Sequence, residues 1–100
     1  MTLPLAHDVF APHLGAVFTV AVPGSDAVEL RLVEVSEPRR SARFESFSML
    51  FCGPAELRLA DVEHTFHHDV LGQFGLFIAA VWADGDGIRY EAVFNRSLDQ

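Results

Sequence analysis

Between residues 62 and 95 the chain carries two apolar, aromatic-rich runs, 73–82 and 88–95, joined by Ala83-Asp84-Gly85-Asp86-Gly87. Two such runs around a short Gly/Asp segment predict an antiparallel hairpin, because Asp and Gly tolerate the backbone conformations that tight hairpin loops demand. A hairpin this apolar must bury one face against another layer. The feature therefore selects a packed β domain.

Other segments repeat the alternation. Val28, Leu30 and Leu32 alternate with Glu29 and Arg31, after which Val33 and Val35 fall on the opposite parity, so a β-bulge or sharp bend near Leu32 is expected. Phe47, Met49 and Phe51 share one face of a strand over 45–52, with Ser46 and Ser48 on the other, and Gly53-Pro54 stops it. A strand of mixed polarity follows, with Val62, His64 and Phe66 on one side and Glu63, Thr65 and His67 on the other. Further strands are expected at 16–22 and 27–35, around a turn at Pro23-Gly24-Ser25-Asp26. Residues 4–11 read as a short helix with Thr2 as N-cap and Pro12 closing it. Six strands at roughly ten-residue spacing predict one mainly β domain over residues 1–100: a small antiparallel six-stranded β-barrel or rolled sheet over 16–95, with a short N-terminal helix over 4–11.

At 100 residues and half apolar, the chain has material for one core and no second cavity-forming unit. Fourteen acidic residues against seven basic ones leave a formal charge of −7, which repels phosphate backbones and argues against nucleic acid. All the basic residues are Arg, a bias expected of a high-GC bacterial genome. Arg39, Arg40 and Arg43 cluster in the polar interval 36–44, a solvated loop able to rim an acidic contact. Cys52 is the only cysteine, so no intrachain disulfide forms. The N-terminus lacks a basic n-region and a long apolar core, and no apolar run is long enough to span a bilayer. A cytoplasmic protein with no membrane association is the expectation.

The densest polar cluster, His64-Thr65-Phe66-His67-His68-Asp69, holds neutral imidazoles of the kind that bind zinc or copper. On a strand, however, His64 and His68 lie about 13 Å apart and His67 points to the other face. Asp84-Gly85-Asp86-Gly87 lacks the third acidic position and the distal Glu of an EF-hand, and a hairpin turn accounts for it. Cys52 beside Phe51 reads as a core thiol, with no oxyanion or orienting motif to make it a nucleophile. No catalytic motif and no cofactor signature is present, so no enzymatic activity is expected.

Four segments in order carry a resemblance. They are Phe10-Ala11-Pro12-His13-Leu14-Gly15, Phe47-Ser48-Met49-Leu50-Phe51-Cys52-Gly53-Pro54, His68-Asp69-Val70-Leu71-Gly72 and Tyr90-Glu91-Ala92-Val93-Phe94-Asn95. Over nearly its whole length the chain resembles DUF6916, a family of small bacterial domains of unknown function. Where members are expected to carry a Tyr-x-Leu-x-His-Pro run, this chain has Thr65-Phe66-His67-His68-Asp69. The resemblance implies an accessory or assembly role beside phage-tail-like proteins, and it implies no catalytic residues.

The sequence thus supports a non-enzymatic barrel acting through protein contacts, by self-association or by docking on a larger bacterial assembly. Trp82, Tyr90 and Phe94 are the expected apolar anchors and Arg39, Arg40 and Arg43 the charged rim. The alternative is a small-ligand or metal-binding barrel using His64, His67 and His68.

Overall fold

In a computed structural model, which describes residues 7–97, the chain forms a curled antiparallel sheet with one short helix. The elements are α1 (His7–Phe10), β1 (Val17–Val20), β2 (Val28–Val35), β3 (Arg39–Arg40), β4 (Phe44–Gly53), β5 (Glu63–His68), β6 (Gly72–Phe77), β7 (Ala79–Asp84) and β8 (Gly87–Ser97). A 3-10 turn, Ala11–His13, follows α1 directly and contains Pro12. The α-helix therefore ends at Phe10, one residue before the expected limit, because the residue ahead of a proline is steered away from helical geometry. Thr2 and residues 4–6 of the expected helix lie outside the described residues.

The alternation reads directly into burial. Leu30, Leu32, Phe47, Met49, Phe51, Phe66, Tyr90 and Ala92 all face a common core. The register of β2 against β4 shifts between Leu32 and Glu34, so Val33 is the bulged residue and Val35 returns to the core side. One extra residue in a strand inverts the facing of everything after it, which here corrects the parity change in the sequence.

The sheet runs β6-β5-β1-β2-β4-β8-β7, with β3 pairing on β4. Eight strand segments replace the expected six. One addition is the two-residue β3, and the other comes from the run 72–84, which is not a single arm of the final hairpin. Its first half, β6, pairs with β5 from Phe77↔Glu63 to Gly72↔His68. Its second half, β7, pairs with β8 through Ala79↔Glu91 and Ala80↔Tyr90. The corner is Ile78, fully buried, whose N–H donates to the Val62 carbonyl at 3.3 Å. Because β6 and β7 are the two outermost strands and are joined at Ile78, the sheet curls into a half-barrel, and β6 also lies against β8.

Two wedges remain where the bent strand leaves one neighbour for the other, and each is filled. Phe10, fully buried on α1, sits with its ring centroid 5.6 Å from Phe74 on β6 and 5.6 Å from Phe94 on β8. At the other side Leu59, within the 54–62 segment, is buried. The Leu59 N–H donates to Tyr90 Oη at 2.8 Å, and the Tyr90 hydroxyl donates to the Leu57 carbonyl at 3.4 Å. A buried hydroxyl with both roles satisfied ties an otherwise irregular loop to β8.

The interior is a continuous aromatic network. Phe47 stacks on Phe94 at 4.7 Å, Phe66 on Phe74 at 5.7 Å, and Phe51 joins Phe18 and Phe66 at 5.6 and 5.3 Å. Such pairs contribute about 0.5–1.5 kcal/mol each beyond area burial. Only Phe44 and Phe77 of the phenylalanines are exposed. Gly53 is demanded by packing: a Cβ there would lie 2.5 Å from Leu30 Cδ2. Gly87 takes φ 139° where the β7–β8 hairpin turns back, a value L side chains rarely adopt.

Removing the Tyr90 hydroxyl should release the 54–62 segment while leaving the core ring in place. Tyr90→Phe is expected to lower unfolding free energy by about 1–2 kcal/mol in urea titration and to speed exchange of the Leu59 amide. An unchanged midpoint with unchanged Leu59 exchange would show that the hydroxyl does not hold the loop.

Candidate functional site

Three regions hold the side chains that the sequence singled out. The first is the end of β5. His64 and His68 both point to the core side of β5 and are half-buried, while His67 is exposed on the opposite face. His64 Nε2 donates to the Ala60 carbonyl at 2.8 Å. His68 Nδ1 accepts from the backbone N–H groups of Val70 at 3.0 Å and Leu71 at 3.2 Å, so it closes the β5–β6 turn. Those two donors fix the tautomer with its proton on Nε2. The ring of His68 lies 4.8 Å from that of Phe18 and 4.7 Å, edge to face, from that of His13 in the 3-10 turn. Burial depresses the His68 pKa below the ordinary imidazole value, His13 and His67 add to the effect, and Asp69 opposes it.

The structure thus does not bring His64, His67 and His68 together. Among the described residues no group of three or more His, Cys, Asp or Glu is placed to hold a metal ion. Structural zinc needs four convergent ligands and a catalytic zinc three. What the fold brings to His68 is His13, from an element remote in sequence, and no spacing rule could have found it.

The second region is β3 and the strand beside it. Arg39 and Arg40 are exposed, and Arg40 Nε donates to Glu45 Oε2 at 2.6 Å. Glu45 is buried at 1% exposure on the core face of β4. The parity of Phe47, Met49 and Phe51 already placed Glu45 on that face, a signal legible in the sequence and overlooked. Arg43 is exposed in the turn between β3 and β4, where the Ser41 hydroxyl accepts from the Arg43 and Phe44 N–H groups. Arg40 is therefore engaged in holding a buried carboxylate.

The third region is the outer face of β4, β8 and β7. Tyr90 at 0% and Phe94 at 9% exposure are core residues, which removes them as surface anchors: they lie on the same inward parity as Ala92. Trp82 is 55% exposed. Cross-strand pairing sets Trp82 beside Arg89 and Cys52, then Ala79 beside Glu91 and Leu50, then Val93 beside Ser48, all on outward positions. The Arg89 guanidinium lies 5.8 Å from the Trp82 ring, a cation–π contact, and Nη1 donates to Cys52 Sγ at 2.8 Å. Phe77, two residues before Ala79, keeps the outward parity and is exposed, as is Val93.

An open groove of about 500 Å³ runs along Ala21, Val22, Leu57, Leu59 and Val62. Its Arg58 is paired with Asp61 at 3.2 Å and its His64 with the Ala60 carbonyl, so these polar groups are already satisfied within the chain. Asp61 also accepts from the Ala80 N–H at 3.1 Å, covering part of the β7 edge. Phe47, Met49 and Phe51 are buried in the interior.

A family model described as a domain of unknown function (DUF6916) matches residues 5–94. The chain belongs to that family. The match embraces every region just described, and the family description assigns no activity to a DUF6916 domain. No curated protein and no solved structure matches the chain. Among the described residues of this DUF6916 domain no helix is long and apolar enough to cross a membrane.

Isothermal titration of zinc into the domain is expected to give no binding tighter than a free peptide carrying residues 62–69. A stoichiometric site abolished by His67→Gln would contradict the dispersed histidine geometry.

Proposed function

We propose that this DUF6916 domain works without catalysis, as a contact module whose outer β4–β8–β7 face docks a second copy of the same chain. The observation that carries the reading is the set of large apolar side chains on outward positions of this face, Trp82 at 55% on β7 and Val93 at 65% exposure on β8, with Phe77, also exposed, on β6 just before the corner. Large exposed apolar side chains are frequent at contact sites, and Trp is enriched among the residues that dominate binding energy.

The local charge of this face suits a second copy as the occupant, although the net charge opposes it elsewhere. The chain carries −7 overall, so two copies repel across most orientations. The outer face presents Arg89 and Glu91 on successive outward positions of β8 and is locally balanced. A twofold axis through such a face sets each Arg against the other copy's Glu, which is the self-complementarity a cyclic dimer needs. The exposed Arg39 and Arg43 supply a cationic rim elsewhere on the surface. The wider setting we propose, resting on the family resemblance and on the Lys-free, single-cysteine composition, is a bacterial cytoplasmic accessory or structural part of a phage-tail-like assembly.

Native mass spectrometry of the untagged protein is expected to show a dimer or higher oligomer of bare chains. Trp82→Ser should shift it toward monomer, with Kd rising roughly tenfold or more and with an unchanged circular dichroism spectrum. Glu91→Arg, which leaves the apolar side chains intact, should also weaken association by setting like charges together. A monomeric wild type at tens of micromolar, or variants that associate as the wild type does, would overturn the proposal.

A further inference from the structure

The N-terminal segment meets the sheet at two places. Phe10 enters the wedge between Phe74 and Phe94, and three residues later His13 packs edge to face on His68. His68 is itself fixed from below, since its ring lies on Phe18 and its Nδ1 accepts both N–H groups of the 69–71 turn. The imidazole is therefore held as a neutral acceptor between a core ring and a second imidazole.

Protonation attacks this arrangement in three ways. A proton on Nδ1 replaces the acceptor by a donor and turns two attractive N–H contacts into repulsive ones. It also places a cation in a half-buried setting against an aromatic wall. Finally, it sets a cation edge to face against the His13 imidazole, whose presence disfavours the charge on His68. Phe18 can offset part of this, because an aromatic face attracts a cation.

We propose that the His13–His68 contact is an acid-sensitive latch, which holds the segment from α1 through the 3-10 turn on the sheet at neutral pH and loosens it in mild acid. The groups facing His68 are His13 from the 3-10 turn, Phe18 from β1, and His67 and Asp69 from its own strand end. Asp69 is the one that opposes opening, by favouring the cation in place. On the segment itself, His7 Nδ1 lies 3.3 Å from Asp8 Oδ1 and its ring packs on Phe47, away from the latch.

The direction follows from proton linkage. The latched His68 binds a proton less readily than the freed one, whose ordinary value is 6.5, so the closed form holds fewer protons just below that value. The latch is complete above the ordinary imidazole value. It weakens as pH falls from there through the depressed value of the closed form, and below that it loses nothing more. Opening withdraws Phe10 and leaves an apolar cleft between β6 and β8.

The test is amide hydrogen exchange on the full chain at about pH 7.5 and about pH 5.5, corrected for intrinsic rates. In the wild type, protection of Leu14, Ala16 and Leu71, whose N–H groups are bonded at or beside the latch, should fall roughly threefold or more in acid. Protection of Leu30 and Phe51 in the central strands should hold. In His68→Asn the side-chain carbonyl can still accept from the turn and cannot titrate, so the acid response should vanish. His13→Gln should diminish it, and if His68→Asn does not fold at neutral pH, His13→Gln decides alone. Equal protection at both pH values in the wild type, or an undiminished response in the variant read, overturns the latch.

Discussion

At Ile78 a single strand changes partners, and the rest of the architecture depends on that change. Residues before it hydrogen-bond to β5 and residues after it to β8, although those strands are far apart in the sheet order. Covalent continuity forces the two edges of the sheet together, so the curl is imposed by connectivity as well as by twist. Ile78 can hold the corner because it is apolar, fully buried and bonded through its N–H to Val62. A polar residue there would leave an unsatisfied group buried at the corner.

The closure creates the demands that the remaining elements meet. One wedge needs an apolar plug, and Phe10 supplies it on a helix of only four residues, too short to stand without tertiary packing. The other needs an irregular segment fastened at a buried position, which Tyr90 does through its hydroxyl while its ring remains in the core. Burying the Glu45 carboxylate on the core face of β4 requires compensation, and the short strand β3 carries Arg40 to it. The two small elements, α1 and β3, thus exist to complete the core.

Local pattern carried most of this fold into the sequence. Alternation identified the inward faces of β2 and β4, the parity change near Leu32 announced a bulge or bend, and Asp84 to Gly87 announced the hairpin tip. The division of 72–84 was hidden because Phe74, Leu76 and Ile78 keep one inward parity across the corner: alternation states which face is buried and is silent on which neighbour a strand pairs with. Tyr90 and Phe94 were misread as surface anchors for a related reason. Aromatic identity suggests interfaces, whereas their shared parity with Ala92 already marked them as inward. His13 lay beyond reach, since its contact with His68 exists only after α1 has plugged the wedge.

The curl also leaves Trp82, Phe77 and Val93 outward around the corner, so the region that shapes the sheet is the one where we propose the contact face. The most direct test of this account is a nuclear Overhauser spectrum of the isotope-labelled protein, read for cross-strand backbone contacts. The account predicts Thr65–Gly75 and Ala80–Tyr90 contacts together in one species, as the registers require. A plain hairpin, with residues 73–77 paired throughout to the strand of Val93 and Asn95 and no contact between Thr65 and Gly75, would contradict it.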